Sequence, residues 1–291
     1  MILEYYLNPH KLNKSPSMFI LLGFVYSSIA MTLSYIVFRQ YSSLLMVFLT
    51  VLALAPMVYA SIKHEEHEDV VLSKESSILR EHAKTLKKFM YIFLGLVLSF
   101  SLWYIVLPEG SVTTLYSSQS STIEMINNPD WHDSAGLTAN VVADRFPIFL
   151  SILFNNLAVL ISSVVFSVLF GFGAIFILSW NASVIGAAIG ETIREGLTYA
   201  STQAGVAKHF MYFNVIGYGL LRFSLHGIPE ILAYFVGGLA GGILFFAVLK
   251  HDYRSRKFNK ILYDVFDLST IAVLLLVAAS FIEVFITPVL F

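Results

Sequence analysis

VAKHFMYFNVIGYGLLRF, residues Val206–Phe223, is the stretch on which the fold turns. It is apolar apart from Lys208, His209, Asn214 and Arg222, and slightly shorter than the roughly 20 residues a helix needs to cross the hydrocarbon core. If it crosses, the chain has seven spans and its termini lie on opposite faces. If it does not, Val206–Leu249 reads as a re-entrant helical pair, with six or fewer full spans.

Outward from it, Ile228–Leu249, Met18–Phe38, Ser42–Ile62, Phe89–Leu107 and Leu268–Leu290 each meet the length requirement. Ile148–Trp180 is too long for one untilted crossing. It is read as a fourth span whose first turns, with Asn155 and Asn156, lie at or outside the membrane surface. Basic residues favour the seven-span arrangement, because cytoplasmic segments are enriched in Lys and Arg. With the N-terminus inside, 15 of the 18 basic residues are cytoplasmic, leaving Arg39, Arg145 and Arg222 outside. The expectation is an all-α, polytopic bundle in the cell membrane, N-terminus cytoplasmic and C-terminus external.

Composition agrees. Hydrophobic residues make up 57% of the 291, and charged residues only 13%, with a mean hydropathy of +0.76. A soluble domain carries about 25% charged residues, so a water-soluble enzyme with one core is excluded. A net charge of −1 supplies no field for nucleic acid. The absence of cysteine excludes disulfides, Cys-ligated metals and thiol nucleophiles. Met1–Tyr6 lacks the basic start of a signal peptide, so the first apolar run is kept as a span. Three parts follow: membrane segment 1–107 with a mixed-charge cytoplasmic stretch at 63–88, a polar external loop at 108–147, and a C-terminal membrane domain at 148–291.

Thirteen of the 17 glycines fall between Gly171 and Gly242. Gly171 and Gly173, the pair Gly186 and Gly190, and the group Gly237, Gly238, Gly241 and Gly242 suit close helix packing. The packing is either within the chain or, for Gly237–Gly242, across a homodimer seam.

Ionisable groups at membrane depth are functional candidates by default. The sharpest cluster is Leu225-His226-Gly227-Ile228-Pro229-Glu230. Pro229 suits a first helical turn, and His226 and Glu230 are one turn apart. Either Glu230 satisfies amides at a helix start, or the two residues form a functional site. Asn155, Asn156 and Asn181 join this polar centre. Glu191, Arg194 and Glu195 suit one side of an interfacial helix or a lid, and Glu283 stands alone near the outer interface. His64–Asp69 lacks the His-Glu-x-x-His spacing and reads as a solvated helix end.

The order of these pieces resembles the stage II sporulation protein M family over Phe154–Leu249. The match consists of Asn155-Asn156 before an apolar run, Gly171 and Gly173 within it, Asn181 and Gly186 after, and a small-residue helix opening His226-Gly227-Ile228-Pro229-Glu230. The resemblance implies a membrane component with membrane or envelope protein partners; the namesake works in a complex that remodels peptidoglycan. The leading expectation is a non-enzymatic complex component or small translocation path. One alternative is a metal-dependent hydrolase holding zinc through His226, Glu230 and His209, and another is a transporter.

Overall fold

The computed structural model describes residues 16–71, 75–127, 145–201, 206–250 and 255–290; within these, the side chains of 16, 65–81, 125–127, 200–216, 218–224 and 226 are not described. Among the described residues the chain is helical throughout. The long helices are α1 (Pro16–Val37), α2 (Ser42–Val71) and α3 (Glu75–Val106), then the short α4 (Glu109–Leu115) and α5 (Ser117–Asn127). They are followed by α6 (Arg145–Phe170), α7 (Ala174–Ser201), α8 (Val206–Lys250), α9 (Arg256–Phe281) and the four-residue α10 (Thr287–Leu290), with a π-helical turn at Ile282–Ile286 before α10.

Among the described residues, seven helical stretches are long and apolar enough to cross a membrane, so the chain is a polytopic helical bundle. The count agrees with the expectation, but its composition differs. Ile148–Trp180 is not one span. Gly171 sits at φ 76° and ends α6, so α7 is a span in its own right. Val206–Phe223 forms no helix of its own and no arm of a re-entrant pair. It runs unbroken into the span Gly227–Lys250 as the first half of the 45-residue α8. Proline normally ends a helix, yet Pro229 lies inside this one.

Two corrections follow for the asparagines. Asn155 and Asn156 do not open a helix; they lie about three turns into α6. Asn181 is not past the end of a span but two turns into α7.

The span Gly227–Lys250 is the hub: 78% of its most apolar 18-residue stretch is buried, against 17% and 22% for the corresponding stretches of Arg145–Phe170 and Arg256–Leu290. A hub surrounded on all sides needs small residues, because bulky ones would hold the neighbouring helices away. A Cβ on Gly237 would strike Leu160, and one on Gly238 would strike Ala174. On Gly241 it would lie 2.6 Å from the Val164 carbonyl oxygen, and on Gly242 2.7 Å from Ile62. Gly237–Gly242 is therefore occupied within the chain, which removes it as a homodimer seam. Gly186 and Gly190 likewise admit Phe100 and Tyr104 of α3. The first half has its own close crossing, at Gly23 against Ile92 and Gly95 of α3.

The described residues after α3 form no separate core. Val112, Leu115 and Tyr116 join the bundle's core instead. Tyr116 is fully buried, and its hydroxyl donates to the Phe100 carbonyl at 2.7 Å. Burial, with a smaller effect from Tyr104, pushes its ionisation well above the usual phenol range, so it remains a neutral donor.

Candidate functional site

Two polar side chains pair on α8, and a third, Glu283, lies in the π turn that packs against this helix. Glu230 and Tyr234 are one turn apart on α8, and the Tyr234 hydroxyl donates to Glu230 Oε1 at 2.8 Å. Glu283, from the π turn, is near enough to act electrostatically on both. A π turn packs an extra residue into the helix and rotates the side chains that follow, a distortion common at functional sites. Both carboxylates are half-buried, whereas Tyr234 is 1% exposed. The Ser163 hydroxyl donates to the Tyr234 carbonyl at 3.4 Å, tying α6 to the same turn of α8.

Glu283 is thus not isolated, although nothing in the sequence connects it to a residue 53 positions earlier. Asn156 is buried and Asn155 exposed. The Leu160–Gly237 contact sets the register of α6 on α8 and puts Asn156 near the depth of Ala233, one turn inward of Glu230. The Asn181 amide donates to the Ile177 carbonyl at 2.8 Å within its own helix. The side chains of His226 and His209 lie outside the described residues. Among the described residues no three of His, Cys, Asp and Glu come together as a metal site.

Two further polar assemblies were not legible in the sequence. Gln119 of α5 is fully buried among three hydrogen bonds. Ser43 Oγ donates to its Oε1 at 2.9 Å, and its Nε2 donates to Ser183 Oγ at 3.0 Å and to the Ser43 carbonyl at 3.3 Å. This amide pins α5 to α2 and α7. Nearby, Arg194 donates to the Tyr104 and Leu107 carbonyls at 3.4 and 3.3 Å, neutralising the end of α3. Glu191, Arg194 and Glu195 therefore occupy the last turns of a spanning helix beside α5. At the opposite end of α3, His82 Nε2 lies 2.9 Å from Asp264 Oδ2 of α9, with His82 only 2% exposed. One histidine within the charged run Arg80-Glu81-His82-Ala83-Lys84 does not announce a partner 182 positions away.

Seven apolar spans around a glycine-lined hub, with polar groups spent on helix contacts, define an integral, multi-pass membrane protein. The model of the family Stage II sporulation protein M matches residues 18–288. The chain belongs to that family, and the match takes in the first three spans and the 108–147 segment as well as the second half. No curated protein and no solved structure matches the chain.

Proposed function

We propose that the chain is a non-enzymatic component of a membrane complex, with Glu230 at the polar centre and Asn156 one turn below it. The observation that carries this reading is the Glu230–Tyr234 hydrogen bond on a half-buried edge of the hub helix, against which the π turn bearing Glu283 packs. The other described polar clusters, at Gln119, Arg194 and His82, join one helix of the chain to another and are consumed by that task. Glu230 is held by a tyrosine and, like Glu283, is only half-buried. A rigid, glycine-packed bundle with one such edge suits assembly. Asn155, Asn181 and His226 belong to this proposal as the outer shell of the same centre, whereas His209 lies 21 residues earlier on the same unbroken helix, about 31 Å from Glu230, and is left out of it.

The proposed orientation puts the N-terminus in the cytoplasm and the C-terminus outside. With the helix ends as observed, the N-terminal segment, the α2–α3 turn and the α8–α9 turn hold 13 of the 18 basic residues on one face. Arg39, Arg145, Arg194, Lys208 and Arg222 fall on the other. The excess still marks the first face as cytoplasmic.

The test is isolation from native membranes in mild detergent after crosslinking. A stoichiometric membrane or envelope protein is expected to accompany the chain, and to be lost in Glu230→Gln. A lone monodisperse chain after crosslinking would overturn the reading.

A further inference from the structure

Asn155 places a primary amide on the outward side of α6. It lies ten residues, about 15 Å, beyond Arg145, and no charged residue occurs between Arg145 and Glu191. The buried face of α6 consists of Asn156, Leu160, Ser163 and Ser167, the last three of which pack on the glycines of the hub. Asn155 is exposed on the other side. Among the described residues nothing hydrogen-bonds to its side chain. Lipid tails offer neither donor nor acceptor, and an amide left unpaired in hydrocarbon is costly.

The same face is spaced for a second helix. Ser151, Asn155, Ala158, Ser162, Val165 and Leu169 recur at alternating steps of four and three, the repeat that keeps one stripe of a helix against another in a left-handed pair. Five of the six are exposed and Ser162 is half-buried. The stripe is small or polar as far as Ser162, so two backbones can approach there. Phe154 and Ile161, 66% and 60% exposed, stand beside it as flanking apolar contacts. α6 is also the least buried of the spans.

We propose that α6 is a homodimer seam, in which Asn155 of each copy hydrogen-bonds to Asn155 of the partner subunit. Membrane geometry selects a second copy as the occupant. Copies inserted in one membrane share a topology, so their α6 helices run parallel, and a two-fold axis along the membrane normal sets each stripe residue against its own counterpart. Asn155 then meets an amide at its own depth. An amide is donor and acceptor at once, so each satisfies the other. The stripe carries no charge that would select a different helix. One asparagine in such a seam also fixes the register, because a slip would return both amides to the lipid. The proposal goes beyond the complex-component reading and does not need it.

The test uses the full chain in phosphatidylcholine vesicles. The protein has no native cysteine, so Ser121→Cys, exposed on α5, takes a donor dye in one batch and an acceptor dye in another. Energy transfer between copies is expected to persist as lipid is added. Asn155→Ala is expected to lose it at about tenfold less lipid, the worth of a reciprocal pair of interhelical hydrogen bonds. Asn155→Gln keeps the amide and is expected to retain most of the transfer. In a second readout, oxidation of Ala158→Cys is expected to give a disulfide-linked dimer, because facing Cα atoms at that position come within about 6 Å. Leu274→Cys, on the exposed face of α9, is expected to stay monomeric. Absence of transfer at high protein density, transfer that Asn155→Ala leaves unchanged, or equal crosslinking of Ala158→Cys and Leu274→Cys overturns the proposal. Each of these failures leaves the complex-component reading standing, since that depends on co-isolation of a different protein.

Discussion

Gly171 shows how much one backbone conformation decides. Its φ of 76° is open to glycine and strained for other residues, and an added Cβ would also lie 2.6 Å from the Phe245 ring. Gly171→Ala is expected to destabilise the protein by about 2 kcal/mol, seen as a lower Tm in detergent. Gly227 makes the opposite case. It is helical, and nothing lies within 4 Å of where its Cβ would be. Gly227→Ala is expected to raise stability by about 0.5–1 kcal/mol, because alanine loses less backbone entropy in a helix. A fall in Tm for that variant would mean that the site is occupied by something outside the chain. Tyr234→Phe removes the hydroxyl that donates to Glu230 and leaves a buried carboxyl short of a donor. A loss of about 1–3 kcal/mol is expected, measured by thermal unfolding.

Elements are held by small numbers of specific contacts, and these explain which parts of the fold could be anticipated. Apolar runs fixed the existence of α1, α2 and α3 because length and hydropathy suffice for them. The same criterion failed across Gly171-Phe172-Gly173, where the break is a dihedral event inside an apolar sequence. It failed again at Pro229, where a proline that promised a helix start is carried in the interior of α8. The two errors cancel in the count. The glycines of the second half were legible as packing residues because spacing alone marks them. Their Gly23–Gly95 counterpart was not, since it joins single glycines on different helices. Gln119 gave no signal either, lying among eight serines and threonines between Ser111 and Thr122. Its substitution tests the pin between α5 and the bundle. Gln119→Leu leaves the Ser43 hydroxyl without its acceptor and is expected to cost about 1–3 kcal/mol. Proteolysis on the α5 side should accelerate as well, while an unchanged cleavage rate would show that Leu115 and Tyr116 hold the segment alone.

At the scale of the whole molecule, the arrangement is a tightly packed hub with peripheral helices that present large apolar side chains, such as Phe154, Leu274 and Phe266. The acidic site was half legible. Glu230 stood out against an apolar background, and Glu283 did so only as an isolated charge; that the π turn bearing it packs against α8 depends on how α9 folds back. The proposed orientation has a direct check in a chain free of cysteine. Ser121→Cys on α5 and Lys257→Cys at the start of α9 are expected to react with a membrane-impermeant maleimide from opposite sides, the first from outside the intact cell. Labelling of Lys257→Cys from outside, with protection at Ser121→Cys, would invert the topology.

α8 has a mechanical consequence. At about 1.5 Å per residue its 45 residues make a rod of about 67 Å, roughly twice the hydrocarbon thickness. Such a rod transmits force along its axis, and its compliance gathers where a rung of the hydrogen-bond ladder is missing. Proline has no amide hydrogen, so the Leu225 carbonyl has no donor at position 229. The weakest joint of the longest helix thus falls at the residue next to Glu230. A load on the 206 end would be felt first as a change in the angle at which that carboxylate is presented.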